Sequence, residues 1–508
     1  MMAAAWFFYL PNHARGADIS TNSPSDPVLG LLLEKGMITE EEAARVQAQA
    51  DALRTNEVSQ LPQPESKWKI SDGIKDIEMF GDLRLRYEDR KATDPQGGRI
   101  DLQRLRYAVR LGFRGDALDG FYYGVRVDTS SNPRSSWVTF GTSSSGTPYQ
   151  GPFGKSTAGI GIGEVYIGWQ PESWLDLTFG KMPNPLYTTT MVWSPTINPE
   201  GAAEHLKYTV GDADFFLNFA QFLYQDTNPN ETSPGFFSNL GDNYTGSDLP
   251  FLLAWQGGLD YHLAKRVDFK VAPALYNYIG GPENTSDSSA TPDFGGVYIG
   301  QGSTGSFSGY PNGYYDGFAA NQTGINDLMV LDIPFELNLK MDHYDVRLFG
   351  DYAQNLKGSS RAIAAYNGQQ NPLLADSNIT PIASPQVHDN VAYQVGLAVA
   401  SKNGLGLVYG NALTKHAWEL RTYWQHVEQY ALDPNLIDTD FFEGVENMQG
   451  VYFAAAYGFS DNFIGTVRYG YASRINGKLG TGGSGQDIPQ MNPIDQFDII
   501  QVDMTFKF

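Results

Sequence analysis

Seven arginines crowd a short part of the chain: Arg84 and Arg86, then Arg104, Arg106, Arg110 and Arg114, then Arg126, with Asp82, Glu88 and Asp128 among them. The spacing within each group is even, which in an extended chain puts the side chains on one face. Guanidinium groups gathered in this way support two kinds of chemistry. They can brace a wall by pairing with carboxylates, or they can form one side of an electric field across a solvent-filled space. A second candidate set lies in Met182–Glu200, where Pro183, Pro185, Pro195 and Pro199 stiffen the chain. Tyr187, Thr189, Trp193 and Asn198 there offer hydrogen-bonding and stacking groups, and Glu200 is the segment's one acid.

Bond-making chemistry finds less support. The seven histidines are scattered without the spacing of a zinc site, so no metal and no cofactor is expected. Gly159, Gly161 and Gly163 lead into a strand rather than a helix, which removes the geometry that cradles a phosphate. No nucleophile–His–acid set stands out, and no catalytic residue is expected, although a set assembled across strands stays open. Asn-x-Ser/Thr triplets, beginning at Asn230, Asn243, Asn284, Asn321 and Asn378, fall in segments so rich in Asn, Ser and Thr that chance explains them.

The elements that would carry these residues alternate with a period of two. In Phe80–Asp89, Leu83, Leu85 and Tyr87 alternate with Arg84, Arg86 and Glu88; in Arg104–Arg114, Leu105, Tyr107, Val109, Leu111 and Phe113 share the face opposite the arginines. Similar segments recur as far as Asp498–Phe508 and add up to about sixteen strands of roughly 9–11 residues, the length of a tilted membrane-spanning strand. Connections after even-numbered strands are mostly brief, as in Gly115–Gly120, Gln170–Trp174, Val210–Ala213 and Ser460–Asn462. Those after odd-numbered strands are mostly long: Thr129–Ile162, Leu223–Phe251, Ile279–Asp327 and Gln354–Val391. A sandwich or propeller has no reason to keep that parity, whereas a transmembrane barrel has short turns at one end and long loops at the other. Ser401–His416 departs from the pattern, and its GLGLVYG either hides a strand or belongs to a longer turn.

Composition agrees once it is divided in this way. The 508 residues carry a formal charge of -22 and have a mean hydropathy of -0.33, and no apolar run approaches the ~20 residues of a spanning helix. Barrel strands expose apolar residues to lipid on alternate positions only, so low average hydropathy is compatible with a membrane. An excess of 57 acidic over 35 basic residues argues against a nucleic-acid partner, and the lack of cysteine excludes a disulfide framework and thiolate chemistry. Acids gather in Leu223–Phe251, Ile279–Asn326 and Glu428–Met448 and are expected to be solvated at the mouth of the long-loop end.

Four parts follow along the chain. Residues 1–17, with the apolar Ala3–Leu10 and small residues after it, read as the remnant of a secretory signal lacking its basic start; the alternative is a buried apolar segment. Residues 26–54 read as a helical hairpin or coiled-coil seam, with Thr39 and Glu42 forming a capping box; residues 55–67 are a linker, and 68–508 the barrel.

In the last strand Ile500, Val502, Met504, Phe506 and Phe508 share one face, and ending on Phe508 resembles the signal by which bacterial outer-membrane barrels are recognised for assembly. Trp68–Arg90, Gly180–Ala203 and the terminal DMTFKF together resemble the "putative porin" family of Gram-negative outer membranes. The resemblance implies an all-β antiparallel barrel of about sixteen strands, with eighteen as the alternative, and passive diffusion of small hydrophilic solutes past an inward-folded loop, Met182–Glu200. It implies contact with outer-membrane lipid and lipopolysaccharide, recognition by the barrel-assembly machinery, and a homotrimer. A channel specific for oligosaccharides or anions, with Tyr187 and Trp193 as a stacking track, is the nearest alternative; an outer-membrane enzyme and a secreted polysaccharide-binding protein are the others.

Overall fold

The computed structural model describes residues 35, 39, 42, 45–46, 73–95, 97–130, 135–141, 158–224, 251–279, 328–358, 389–411, 414–477, 481, 487–488, 491 and 494–508. The expected signal segment, the linker, most of 26–54 and the acids of the loops following Leu223 and Ile279 lie outside these residues. The chain divides into two units, Met1–Ser71 and Asp72–Phe508. In the first, Glu42, Arg45 and Val46 are helical. The Thr39 hydroxyl accepts from the Glu42 N–H at 3.3 Å while the Glu42 carboxylate accepts from the Thr39 N–H at 2.9 Å, the reciprocal pattern of a capping box.

The second unit is a closed antiparallel barrel. Among the described residues sixteen strands build it: β1 (Glu78–Thr93), β2 (Arg99–Asp116), β3 (Phe121–Thr129), β4 (Ile160–Glu172), β5 (Leu175–Lys181), β6 (Glu200–Val210), β7 (Ala213–Leu223), β8 (Phe251–Ala264), β9 (Val267–Val271 continuing as Ala274–Ile279), β10 (Met329–Asp332 continuing as Phe335–Lys340), β11 (Tyr344–Asn355), β12 (Val391–Ser401), β13 (Trp418–Val427), β14 (Met448–Gly458), β15 (Phe463–Arg474) and β16 (Gln496–Lys507). β9 and β10 are each interrupted at a proline, Pro273 and Pro334, which has no N–H to give to the ladder. Val138–Thr139 adds a short bridge onto Arg106 and Tyr107 of β2. The sheet closes where β1 pairs with β16, Leu83 opposite Phe506 and Thr93 opposite Gln496, so no edge is left with unpaired backbone groups in lipid.

Alternation sorts the two faces. On β1, Leu83 and Leu85 are each 43% exposed, whereas Arg86 between them and Tyr87 is 4% exposed. Leu105, Val109 and Phe113 of β2 and Ile500, Val502, Met504 and Phe506 of β16 are likewise exposed. The apolar sets are therefore the outer surface and the arginines point inward. The reverse would place charges on the lipid face at ~2–4 kcal/mol each near the midplane.

Among the described residues a buried apolar cluster fills part of the barrel's interior. It joins inward residues such as Phe222, Tyr276, Phe349, Tyr423 and Tyr452 to Met191, Trp193, Leu432 and Phe442 of two loops folded into the lumen. At the opposite end the connection after β12 holds no extra strand among the described residues. It makes one 3-10 turn, Leu407–Tyr409, between Gly406 at φ 96° and Gly410 at φ 74°, a left-handed conformation that favours glycine. Leu407 and Val408 are buried, and the Glu419 carboxylate accepts from the Gly406 and Val408 N–H groups at 3.0 and 2.8 Å. Arg468 of β15 and Lys507 of β16 donate to the carbonyls of Val408 and Gly410 at 3.0 and 2.6 Å, so this connection too is drawn inside.

Candidate functional site

The arginine face is built by β1, β2 and β3, whose register sets acids beside it. Asp82 lies opposite Arg110, and Glu88 opposite Arg104. Asp82 pairs with Arg84 at 2.8 Å and with Arg110; Arg126 pairs with Asp128 at 2.7 Å and with Glu164 of β4. Arg86 forms a two-pronged pair with Asp503 of β16 at 2.7 and 2.8 Å. Its remaining nitrogen donates to Asp440 at 2.7 Å, and its guanidinium carbon stands 4.3 Å from the Trp137 ring centroid. Arg104 pairs with Glu88 and with Asp487 at 2.6 Å, and Arg106 lies 3.4 Å from Glu88. All six expected residues of this face, Arg84, Arg86, Arg104, Arg106, Arg110 and Arg126, are thus inward and each has a carboxylate partner.

Several partners come from long-loop connections. Glu428–Met448 was expected to be a solvated acidic loop; instead Leu432, Asp433, Asn435, Phe441, Phe442, Glu443 and Glu446 are buried inside the barrel. The reason is the distant arginine face, against which the acids find counter-charges that outweigh their hydration. Arg90 holds this loop through Glu443 and the Thr439 carbonyl, and it also pairs with Asp487 at 3.2 Å. Arg86, Arg90, Arg104, Arg106 and Arg468 face Glu88, Asp440, Glu443, Asp487 and Asp503, so the centre of the wall balances charge for charge. Around Asp440, Arg86 and Arg90 overcome the effect of burial and hold the carboxyl well below its usual range. Burial raises Glu443 to about 7 although Arg90 opposes it, and burial with the neighbouring Asp440 raises Asp438 to about 7 as well.

The loop from Met182 leaves β5 and crosses toward β8 and β11. The Tyr187 N–H donates to the Gln256 amide at 2.9 Å, which returns a bond to the Tyr187 carbonyl at 2.8 Å. Lys270 sits 4.3 Å from the centroid of the Tyr187 ring. The Thr189 hydroxyl donates to Asp351. Trp193 is turned into the buried cluster against Phe222 and Tyr276, and its indole N–H donates to the Ile197 carbonyl at 2.9 Å. Asn198 and Glu200 stay at the β4–β6 end, the former donating to the Gly163 carbonyl at 2.7 Å and the latter accepting from Lys181 at 2.7 Å. Tyr187, Thr189 and Trp193 therefore converge on the far wall, and Asn198 and Glu200 do not join them.

Between this loop and the arginines lies the second loop. The Ser194 N–H donates to the Leu436 carbonyl at 2.5 Å and the Asp438 N–H to the Thr190 carbonyl at 3.2 Å. Two strands of irregular chain thus meet across the lumen, one tied to β8 and β11 and the other to β1. Sequence reasoning missed Arg90, Arg468 and the inward acids. Arg90 was within reach, since it continues the even series 84, 86, 88 by one step.

The family model described as Putative porin matches residues 97–295 and 320–508, well over half of the chain. No curated protein matches. Solved structures similar to the chain include the outer membrane channel DcaP of Acinetobacter baumannii, at 11% identity over 87% of this chain and 99% of that one, TM-score 0.40. An anion-selective porin from Comamonas acidovorans matches at 8% identity over 85% and 99%, TM-score 0.41, and Pseudomonas putida OprB at 10% identity over 85% and 94%, TM-score 0.44.

Proposed function

Since the chain belongs to the Putative porin family, and is therefore an outer-membrane channel for passive diffusion, we propose that its path is a narrow one for small hydrophilic solutes without strong charge preference. The observation that carries this reading is the charge-for-charge pairing of the arginine wall: a guanidinium already bound to two carboxylates exerts little net field on a passing ion. Met182–Glu200 and Glu428–Met448 together narrow the passage. The oligosaccharide alternative draws less support, because Trp193 is committed to buried packing and Tyr187 lies beneath Lys270, leaving neither as an open stacking surface.

Planar-bilayer recording with reversal potentials in a salt gradient tests this. Stepwise channels with a reversal potential near zero are expected; a strongly anion-shifted potential would support the arginine face acting as a field. Replacing Arg104, Arg106 and Arg126 with Ala uncovers their paired acids, so a balanced wall is expected to turn from near-neutral to cation-preferring, whereas a field-forming wall would start anion-preferring and lose that preference. A bacterial outer membrane, export by the N-terminal segment, a homotrimer, lipopolysaccharide contact and recognition of the strand ending at Phe508 by the assembly machinery are part of the same proposal, as is the lack of enzymatic turnover. Native mass and cross-linking in mild detergent read the trimer, and a purely monomeric species would remove it.

A further inference from the structure

Away from the arginines, Asp332 of β10 and Asp351 of β11 share the inner face, brought together because Asp332 registers opposite Ala353, two residues beyond Asp351. Tyr276 of β9 joins them: its strand sets Ala274 opposite Asp332, and Tyr276 is the next residue on that face. Asp332 is fully buried, Tyr276 is 1% exposed and Asp351 2%. Strand register thus sets Asp332 between Asp351 on one neighbouring strand and Tyr276 on the other, all on the inner face. No Lys, Arg or His of the described residues forms a salt bridge with either acid, unlike the carboxylates of the arginine wall.

Two buried carboxylates without a counter-charge are costly, and their donor inventory is incomplete. Both oxygens of Asp332, the Oδ1 of Asp351 and the hydroxyl of Tyr276 are buried without a hydrogen-bond partner. The fourth carboxylate oxygen, Asp351 Oδ2, is met by the Thr189 hydroxyl of the inward loop. A shared proton would cancel one of the two charges, whereas a divalent cation cancels both and uses all four free oxygens. The set contains only oxygen, including two carboxylates, and no nitrogen or sulfur, which is the chemistry of a hard cation rather than of zinc or copper.

We propose that Asp332, Asp351 and Tyr276 form a binding site for a divalent hard cation of the calcium type, which fastens the Met182–Glu200 loop to the barrel wall through Asp351 and Thr189. The ligands beyond these oxygens would be water, since calcium takes about 6–8 oxygens. The ion neutralises the pair and holds Asp351 through Oδ1 while Oδ2 accepts from Thr189, so the loop's attachment point is fixed by the metal as well as by Thr189.

The test uses the whole barrel in detergent, stripped with a chelator and dialysed against radioactive calcium. Acids elsewhere on the surface also collect calcium, so the difference between wild type and variants is what counts. One site per chain is expected to disappear in Asp332→Asn and to weaken about tenfold in Tyr276→Phe, with folding of each variant checked by heat-modifiable gel mobility. Wild type and Asp332→Asn binding calcium equally would overturn the site. If Asp332→Asn does not fold, wild-type crystals soaked in strontium decide: an anomalous peak among these oxygens supports the site, and its absence means that the pair shares a proton instead. Binding and scattering do not depend on conductance, so failure here leaves the diffusion reading standing.

Discussion

Arg84 and Arg86 are two positions apart on one strand face, yet their energetic roles differ. The Arg84 side chain is 22% exposed and shares Asp82 with Arg110, whereas Arg86 is 4% exposed and is the hinge between Asp503 and Asp440. Arg86→Ala leaves two enclosed acids short of a counter-charge and is expected to cost about 3–5 kcal/mol. Arg84→Ala is expected to cost at most about 1 kcal/mol. Urea titration followed by heat-modifiable mobility measures both. Glu443 supplies a pH prediction. A carboxyl raised to about 7 when the loop is in holds its proton more tightly than the same carboxyl in solvent. Its contribution to the inward state is therefore full below the ordinary carboxylate range and is lost as the pH rises through about 7. Asp438, more exposed, adds less in the same direction, whereas Asp440, held low by Arg86 and Arg90, contributes in full above the ordinary carboxylate range and loses that contribution only in acid. Hydrogen exchange at Leu432–Phe442 is expected to speed up from pH 5 to pH 8 beyond the intrinsic chemical increase; identical protection at both values would refute the coupling.

At the scale of elements, the inward loop Glu428–Met448 is both obstacle and charge mask. Replacing Leu432–Phe442 by a short Gly/Ser linker removes Asp433, Asp438 and Asp440 and releases the hold on Arg86. Single-channel conductance is expected to rise and the reversal potential to move toward anion preference; a smaller conductance would count against the loop as an obstacle. The strands themselves were legible in the sequence. Phe80–Asp89 was expected from alternation and Glu78–Thr93 is observed, the extra residues lying at the ends where periodicity has no more partners to report. The inward loop was not legible. A run of acids bound for water and a run bound for distant arginines look alike, because what separates them is a contact such as Asp440 with Arg86 between segments far apart in the chain. The same holds for the Asp332–Asp351 pair, which only strand register brings together. Ser401–His416 was ambiguous for a related reason: its glycines report left-handed turns but not which side of the wall the turn occupies.

For the molecule as a whole, closure depends on one narrow seam. The Gly81 N–H donates to the Phe508 carbonyl at 2.9 Å, the Phe508 N–H donates to the Gly81 carbonyl at 3.1 Å, and the Phe508 ring lies over the glycine. A Cβ at position 81 would stand 2.3 Å from the Arg110 carbonyl oxygen and 3.0 Å from that ring. Gly81→Val is therefore expected to lower the yield of heat-modifiable barrel, whereas Leu83→Val, facing lipid one step along the same strand face, leaves it unchanged; equal yields would show that the seam tolerates a side chain. The pairing of β1 with β16 also carries a consequence for the order of events. One flank of N–H and C=O groups on β1 has no strand partner until β16 reaches it. Closing so long a stretch of chain costs entropy before any seam bond repays it. The seam between β1 and β16 thus closes the longest stretch of chain of any strand pair in the barrel, and every other pair can form before it.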